Sequence, residues 1–366
     1  MDKCIKIDLI AGARPNFIKI APIIHSINKL NNKKKSISFR LIHTGQHYDA
    51  NMSGTFFDQL NLPNPDYNLN SGSGTQSEQT GSIMIGYEKL LFESVPDLCL
   101  VVGDVNSTMA CAIVAKKMKI KVAHVEAGIR SGDLSMPEEI NRIVTDSITD
   151  FFFTTTINAS NYLKKKLNKE NIFFVGNTMI DSLLLQMNNF FPPKIWKEKS
   201  LTKNNYFVLT LHRPANVDQE NNLVDKIDAI IKSSRNLPII FPIHPRTKKI
   251  FERTKINNKN LFIIPPLSYL EFNYLVMNAK CVITDSGGIT EEATVLNTPC
   301  LTLRDNTERP ETVDIGTNLL VGTNPKNIKP AIDILFSDKW KKGNIPKYWD
   351  GKTSDRIINI LNNLEF

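Results

Sequence analysis

The stretch from Val122 to Arg142 gathers side chains that move protons and hold anions: Glu126, Glu138 and Glu139 together with Arg130 and Arg142. An apolar run leads into Glu126, Gly128 and Gly132 punctuate the loop that carries Arg130, and Pro137 opens a helical pattern. Open α/β sheets place their ligands at the carboxyl ends of their strands. Carboxylates at such a place serve as general acid and base, and guanidiniums there stabilise negative charge. The segment therefore reads as half of an active site.

Other stretches have the same strand-then-helix setting. Gly12-Ala13-Arg14-Pro15 with Lys19 follows the first apolar run, and glycine, an N-terminal proline and two cations suit an anion at a helix start. It is neither a dinucleotide fingerprint nor a Walker loop, so by itself it equally fits a helix start with surface charges. Asp104 ends the run Val101-Val102-Gly103; helix N-capping is its plain use, yet Asn106, Ser107 and Thr108 are also able to cap, which leaves Asp104 open to acid/base work. His212 and His244 each leave the end of an apolar run and are candidates for proton transfer or phosphate binding. His25, His43 and His124 lie within helical or strand patterns and read as structural, while His47 sits in a turn. In Thr284-Asp285-Ser286-Gly287-Gly288-Ile289-Thr290-Glu291-Glu292, a turn followed by a fresh helix start forms a diphosphate cradle, with a glutamate one turn on for ribose hydroxyls; a capping serine in a tight turn is the simpler alternative. Arg309, in a loop of mixed charge, suits a phosphate or a carboxylate.

These residues need a large framework. At 366 residues the chain exceeds one typical domain, so two are expected. Apolar runs alternate with helix-length segments, which predicts βαβ units and parallel sheets. Strands are expected at 4–10, 37–43, 97–103, 120–125, 150–155 and 172–175, with helices at 16–30, 78–93, 106–118, 137–148, 158–167 and 178–190. A hinge-like polar stretch with Pro192 and Pro193 covers 191–205. The pattern resumes with strands at 206–211, 237–242, 261–264, 281–285, 299–303 and 318–321 and helices at 222–235, 269–278, 288–297 and 327–337. The expected boundary puts residues 1–178 in the first domain and 179–351 in the second, with a last helix over 352–366 as a candidate to pack back on the first.

Composition excludes several classes. Hydrophobic residues at 41% and charged residues at 22% fit a soluble globular chain, and no run reaches the length of a membrane span. The N-terminus has no signal-peptide form, so a cytoplasmic protein is expected. The net charge of +8 comes in short separate runs (Lys33–Lys35, Lys164–Lys166, Lys248-Lys249) without interleaved aromatics, which favours a solvated surface over a nucleic-acid partner. Cys4, Cys99, Cys111, Cys281 and Cys300 are scattered without metal or disulfide spacing and read as small core residues in a reducing compartment.

Taken in order, the motifs Gly12-Ala13-Arg14-Pro15, Gly103-Asp104, His124-Val125-Glu126-Ala127-Gly128, Pro137-Glu138-Glu139-Ile140-Asn141-Arg142, His212-Arg213, Asp285-Ser286-Gly287-Gly288 and Thr307-Glu308-Arg309-Pro310 resemble the non-hydrolysing UDP-N-acetylglucosamine 2-epimerase family, nearly from end to end. The resemblance implies an α/β fold of GT-B type, two Rossmann-like domains with an interdomain cleft, and a homodimer. It implies inversion of C2 of UDP-GlcNAc to give UDP-ManNAc without metal or cofactor, through loss and re-addition of UDP, in supply of polysaccharide precursors. Asp104, Glu126, Glu138 and His212 would be catalytic. Arg14, Lys19, Arg142, His244, Ser286, Gly287, Gly288 and Arg309 would bind substrate, with Glu292 at the ribose and Phe272, in the segment Pro266 to Phe272, at the uracil.

The chain also departs from the family pattern. Asp133-Leu134-Ser135-Met136 replaces a longer loop of aromatic-proline character. Thr44-Gly45-Gln46-His47-Tyr48-Asp49 and His212-Arg213-Pro214 differ at places where many members bind a second, activating UDP-GlcNAc. Four alternatives follow: a 2-epimerase of a UDP-diacetamido-uronic acid, a hydrolysing 2-epimerase, a GT-B glycosyltransferase, and a non-catalytic UDP-sugar sensor.

Overall fold

The computed structural model describes residues 4–32, 36–46 and 57–364. The chain forms two compact units, one of residues 1–185 and 347–366 and the other of residues 186–346. In the first, the described strands are β1 (Ile5–Ala11), β2 (Ile37–His43), β3 (Tyr67–Asn68), β4 (Leu98–Val102), β5 (Lys121–Val125), β6 (Phe151–Thr154) and β7 (Ile172–Phe174). They form a parallel sheet in the order β3-β2-β1-β4-β5-β6-β7. Around it lie α1 (Arg14–Asn31), α2 (Gln76–Glu93), α3 (Asn106–Lys117), α4 (Pro137–Ile148), α5 (Ile157–Lys166) and α6 (Thr178–Gln186). Helices on the sheet faces bury the strands, which explains why Leu98–Val102 is an unbroken apolar run, buried throughout.

The second unit begins with a short helix α7 (Lys194–Glu198), inside the stretch whose prolines suggest only a hinge. Its strands are β8 (Phe207–Thr210), β9 (Ile239–Pro242), β10 (Leu261–Ile264), β11 (Cys281–Thr284), β12 (Cys300–Thr302) and β13 (Asn318–Leu320). Their order is β10-β9-β8-β11-β12-β13, again parallel. The helices are α8 (Pro214–Val217), α9 (Glu220–Ser233), α10 (Pro245–Phe251), α11 (Tyr269–Asn278), α12 (Gly287–Val295), α13 (Pro310–Asp314) and α14 (Ile328–Phe336). Phe207, Leu209, Ile230, Phe241 and Ile332 are among the fully buried residues of one core layer. The order reverses between β1 and β4 in one sheet and between β8 and β11 in the other, and such switch points are where open α/β sheets bind ligands.

Among the described residues five elements escape the sequence pattern: β3, α7, α8, α10 and α13, none longer than seven residues. Segments this short show no full amphipathic period. Three of these helices, α8, α10 and α13, nevertheless start with proline at the first turn, Pro214, Pro245 and Pro310, which is the local signal that marks them.

The last helix, α15 (Thr353–Asn362), belongs to the first unit. No side chain of its own caps it. Instead the Asp181 carboxylate on α6 accepts the amides of Thr353 and Ser354 and the Ser354 hydroxyl, at 3.1, 2.7 and 2.8 Å. Ser26 on α1 donates to Asp355 at 2.8 Å. The neighbouring Ser182 solves a different problem. Pro22 lies inside α1 and cannot donate to the Ile18 carbonyl, and the Ser182 hydroxyl fills that vacancy. We expect Asp181→Ala, which leaves several buried donors unpaired, to lower stability by about 2–4 kcal/mol in urea unfolding; a change below about 0.5 kcal/mol would contradict this account.

Candidate active site

In the first unit the chemistry gathers at the carboxyl ends of β1, β4 and β5. Asn16, in the first turn of α1, accepts the amides of Gly12 and Ala13 at 3.2 and 2.9 Å and donates to the Val102 carbonyl at 3.0 Å, so it ties the start of α1 to the end of β4. Lys19, one turn later, is buried and pairs with Glu126 at 2.7 Å. Glu126 follows β5 with a φ of +74°, a left-handed conformation that a non-glycine residue adopts only when its surroundings impose it. Gly103 also has positive φ, +68°. A side chain there would begin 3.0 Å from Lys19 Nζ and 4.0 Å from Glu126 Oε1, so glycine keeps the space through which the pair meets.

Asp104 does not cap α3. Val105 occupies the cap position without a side-chain bond, and the Gln46 side chain accepts the Ser107 amide and hydroxyl instead. The Asp104 carboxylate is paired with Arg142, while Asn141 donates to the Asp104 carbonyl at 2.9 Å. Arg142 also meets Glu139 at 2.9 Å, and Glu139 accepts the amides of Ser131 and Gly132 at 3.0 and 3.1 Å. Burial alone would raise the Glu139 carboxyl, but these amides and Arg142 outweigh it and hold it below the usual range. Glu138 is half-buried in the first turn of α4, and Arg14 is half-buried in the first turn of α1.

In the second unit, His212 and Arg213 turn off β8. The buried Asp285 carboxylate, just past β11, accepts both their amides, the Asn216 side chain at 3.0 Å and His212 Nδ1 at 2.9 Å. Burial pushes Asp285 up, but His212, Asn216 and the Arg213 amide together bring it below the usual carboxylate value. The His212 side chain is 42% exposed, with Nδ1 anchored on Asp285. His244 lies 6.0 Å from His212, centroid to centroid, and caps α10 by accepting the Arg246 amide at Nδ1.

Ser286 stands at the cap position of α12 without a side-chain bond, so the Gly287 and Gly288 amides at the helix start are not covered by a capping serine. A side chain at Gly287 would begin 2.8 Å from Glu308 Oε1. Beneath this turn Glu308 meets Arg304 at 2.6 Å and Arg213 at 3.4 Å, and Arg309 meets the buried Glu291 at 2.8 Å. Burial works against the Glu308 charge, yet the bond and charge of Arg304, with Arg309 and Arg213, bring its pKa down to about 2. Glu292 is buried, and Phe272 on α11 packs against the core next to Leu275 and Val276.

Within each unit, then, the structure joins Lys19 to Glu126, Arg142 to Asp104, and His212 to His244. Asn16, Asn141, Asn216 and Asp285 hold these groups and were not singled out as site residues in the sequence. Asn141 and Asp285 lie within motifs of the sequence and Asn16 is the third residue after its helix cap, whereas Asn216 has no local signal; Asn141, Asn216 and Asp285 meet their partners from 35 or more positions away. His25 bonds the Asn61 carbonyl, and His43 accepts the Gly45 amide. Lys164–Lys166 and Lys248-Lys249 are exposed, whereas His47 and Lys33–Lys35 lie outside the described residues. Cys99, Cys111, Cys281 and Cys300 are free and buried, and Cys4 is free and half-buried. Among the described residues no group of three His, Cys, Asp or Glu side chains is arranged to hold a metal ion, and no helix is long and apolar enough to cross a membrane.

Two parallel α/β units of this construction define an α/β protein of GT-B type. The UDP-N-acetylglucosamine 2-epimerase family model matches residues 28–362, and the chain belongs to that family. It is 45% identical over 370 residues to a UDP-N-acetylglucosamine 2-epimerase of Methanocaldococcus jannaschii, covering 97% of this chain and 98% of the relative. A UDP-2,3-diacetamido-2,3-dideoxy-D-glucuronate 2-epimerase of Pseudomonas aeruginosa is 40% identical over 362 residues, covering 97% and 99%. The crystal structure of Methanocaldococcus jannaschii UDP-GlcNAc 2-epimerase in complex with UDP-GlcNAc and UDP superposes with a TM-score of 0.87 at 46% identity, covering 98% of this chain and 99% of that one.

The charge pairs lead to two expectations. Lys19→Met leaves Glu126 buried without its cation and should cost about 3–5 kcal/mol in denaturant unfolding, most of which Lys19→Met/Glu126→Gln should recover. Glu308 has a folded pKa of about 2 against an ordinary 4.5, so its contribution is complete above the ordinary value and is lost as pH falls through that window. That contribution is about 3 kcal/mol. Urea titrations from pH 6 to pH 2.5 should therefore show a shallower acid decline for Glu308→Gln than for the parent chain.

Proposed function

We propose that this chain is a non-hydrolysing UDP-GlcNAc 2-epimerase that interconverts UDP-GlcNAc and UDP-ManNAc. The observation that carries the reading is the pair Asp104 and Glu126. They end neighbouring strands, and each is matched to its own buried cation, Arg142 and Lys19. C2 of the sugar is not next to a carbonyl, so a simple exchange of its proton is very costly. Elimination avoids this. A carboxylate takes the C2 proton as the C1–O bond to UDP breaks, the C1=C2 bond of 2-acetamidoglucal forms, and UDP carries away the bonding electrons. Re-addition of UDP at C1, with a proton delivered to the other face of C2, gives the epimer. Two or more proton-transfer groups and a firm hold on the departing diphosphate are what this sequence of steps requires.

In this reading Asp104, Glu126 and Glu138 exchange the protons, and Arg142 and Lys19 hold Asp104 and Glu126 in place. The second unit holds UDP: the helix start at Ser286-Gly287-Gly288 takes the diphosphate with Arg309 and His244, while Glu292 takes the ribose and Phe272 faces the uracil; Arg14, in the first unit, is a further substrate-binding residue. His212, aligned by Asp285, serves the diphosphate oxygens or shares the proton transfer. The chain would act in the cytoplasm as a homodimer and feed polysaccharide synthesis. Its free, mostly buried cysteines fit a reducing compartment.

Proton NMR of the purified protein with UDP-GlcNAc in D2O tests the reading. UDP-ManNAc carrying deuterium at C2 is the expected outcome. Free ManNAc with UDP would move the chain to the hydrolysing class. No exchange with UDP-GlcNAc but exchange with the UDP-diacetamido-uronic acid would reassign the substrate, and no exchange with either would sink the epimerase reading. Asp104→Asn and Glu126→Gln should each lose at least about 100-fold in turnover while the Kd for UDP stays within a few-fold.

A further inference from the structure

His124 and Asp146 are both fully buried, and neither is exposed to a ligand. The His124 ring sits between two acceptors, with Nδ1 2.7 Å from Asp146 Oδ1 and Nε2 2.9 Å from the Gly103 carbonyl. A carbonyl only accepts, so Nε2 donates to Gly103. The other Asp146 oxygen accepts the Gly128 amide at 3.0 Å and Arg130 Nη1 at 2.7 Å. Burial opposes the Asp146 charge, but His124 and Arg130 overcome it and keep the carboxyl below its usual value. Arg130 in turn lies 4.7 Å over the Tyr162 ring.

Gly103 precedes Asp104, and Gly128 follows Glu126 by two residues. One side-chain pair thus grips both loops that carry the proposed proton-transfer carboxylates. Asp146 is also on α4, the helix whose earlier turns supply Glu138 and, through Asn141 and Arg142, two more bonds to Asp104. The Gly103-Asp104 dipeptide has both carbonyls and its carboxylate held from β5 and α4. A simple core histidine needs none of this placement, because any local carbonyl would satisfy it.

We propose that the His124–Asp146 pair is a positioning device that sets the distance and angle between Asp104 and Glu126 without touching substrate. The inference rests on the epimerase reading of those carboxylates. Displacing a reacting group by about 1 Å costs about 100-fold in rate, which sets the expected scale.

Three variants test it. His124→Leu removes both bonds, His124→Gln keeps a donor for the Gly103 carbonyl, and Asp146→Asn weakens the grip on Gly128 and Arg130. Expected is a fall in kcat of about 100-fold for His124→Leu, with the KM for UDP-GlcNAc and the Kd for UDP within about threefold, and partial recovery in His124→Gln. Amide hydrogen exchange should rise in peptides covering 103–105 and 126–130 and stay unchanged in the second unit. Unchanged kcat, or kcat and UDP affinity falling in parallel, would overturn the proposal. So would unchanged exchange at both loops, or failure of both His124→Gln and Asp146→Asn to fold, which would make the pair a plain structural staple. If the parent chain itself fails to exchange the C2 proton, the epimerase reading fails, while the exchange at the two loops still decides whether the pair holds them.

Discussion

A carboxylate withdrawn from water keeps its charge only beside a cation or a set of donors, and the buried Lys19–Glu126 pair meets this constraint directly. Both side chains are buried, so each would be costly alone. Their meeting accounts for several local features. Gly103 lacks a side chain because one would press on the lysine ammonium, and Glu126 accepts a left-handed backbone to turn its carboxylate inward. Asn16 stitches the start of α1 to the end of β4, which fixes the helix from which Lys19 reaches across.

The second unit meets the same constraint differently. Asp285 and Glu308 are buried anions below their ordinary pKa values, and each organises donors from other segments. Asp285 collects two successive backbone amides, an asparagine and an imidazole, and so fixes the direction of His212. Glu308 gathers Arg304 and Arg213 beneath a helix start that has no side-chain cap. An uncapped helix start above a cluster of guanidiniums is a natural seat for an anion.

Short helices started by proline recur at these places. Arg213, His244 and Arg309 each precede Pro214, Pro245 or Pro310 at the cap of a helix of seven residues or fewer. Proline pre-sets the backbone of the first turn, so the preceding residue is held in a restricted conformation. The effect is to fix the backbone just before the turn without a long helix.

Much of this was legible in the amino-acid order. Alternating apolar runs and amphipathic segments determined two α/β units with parallel sheets, because buried strands and their covering helices carry unlike periodicities. The residues that end the strands, among them Asp104, Glu126, His212 and Ser286, were visible because loops at strand ends carry polar groups that the core would not tolerate. Which cation each carboxylate meets was decided only by the tertiary structure: Arg142 for Asp104, Lys19 for Glu126, Asp285 for His212, and Asp181 as the remote cap of the last helix. Those partners lie 38, 107, 73 and 173 positions apart. Sequence periodicity reports which face of an element is buried, whereas the pairing of buried charges depends on which elements the sheet order places side by side.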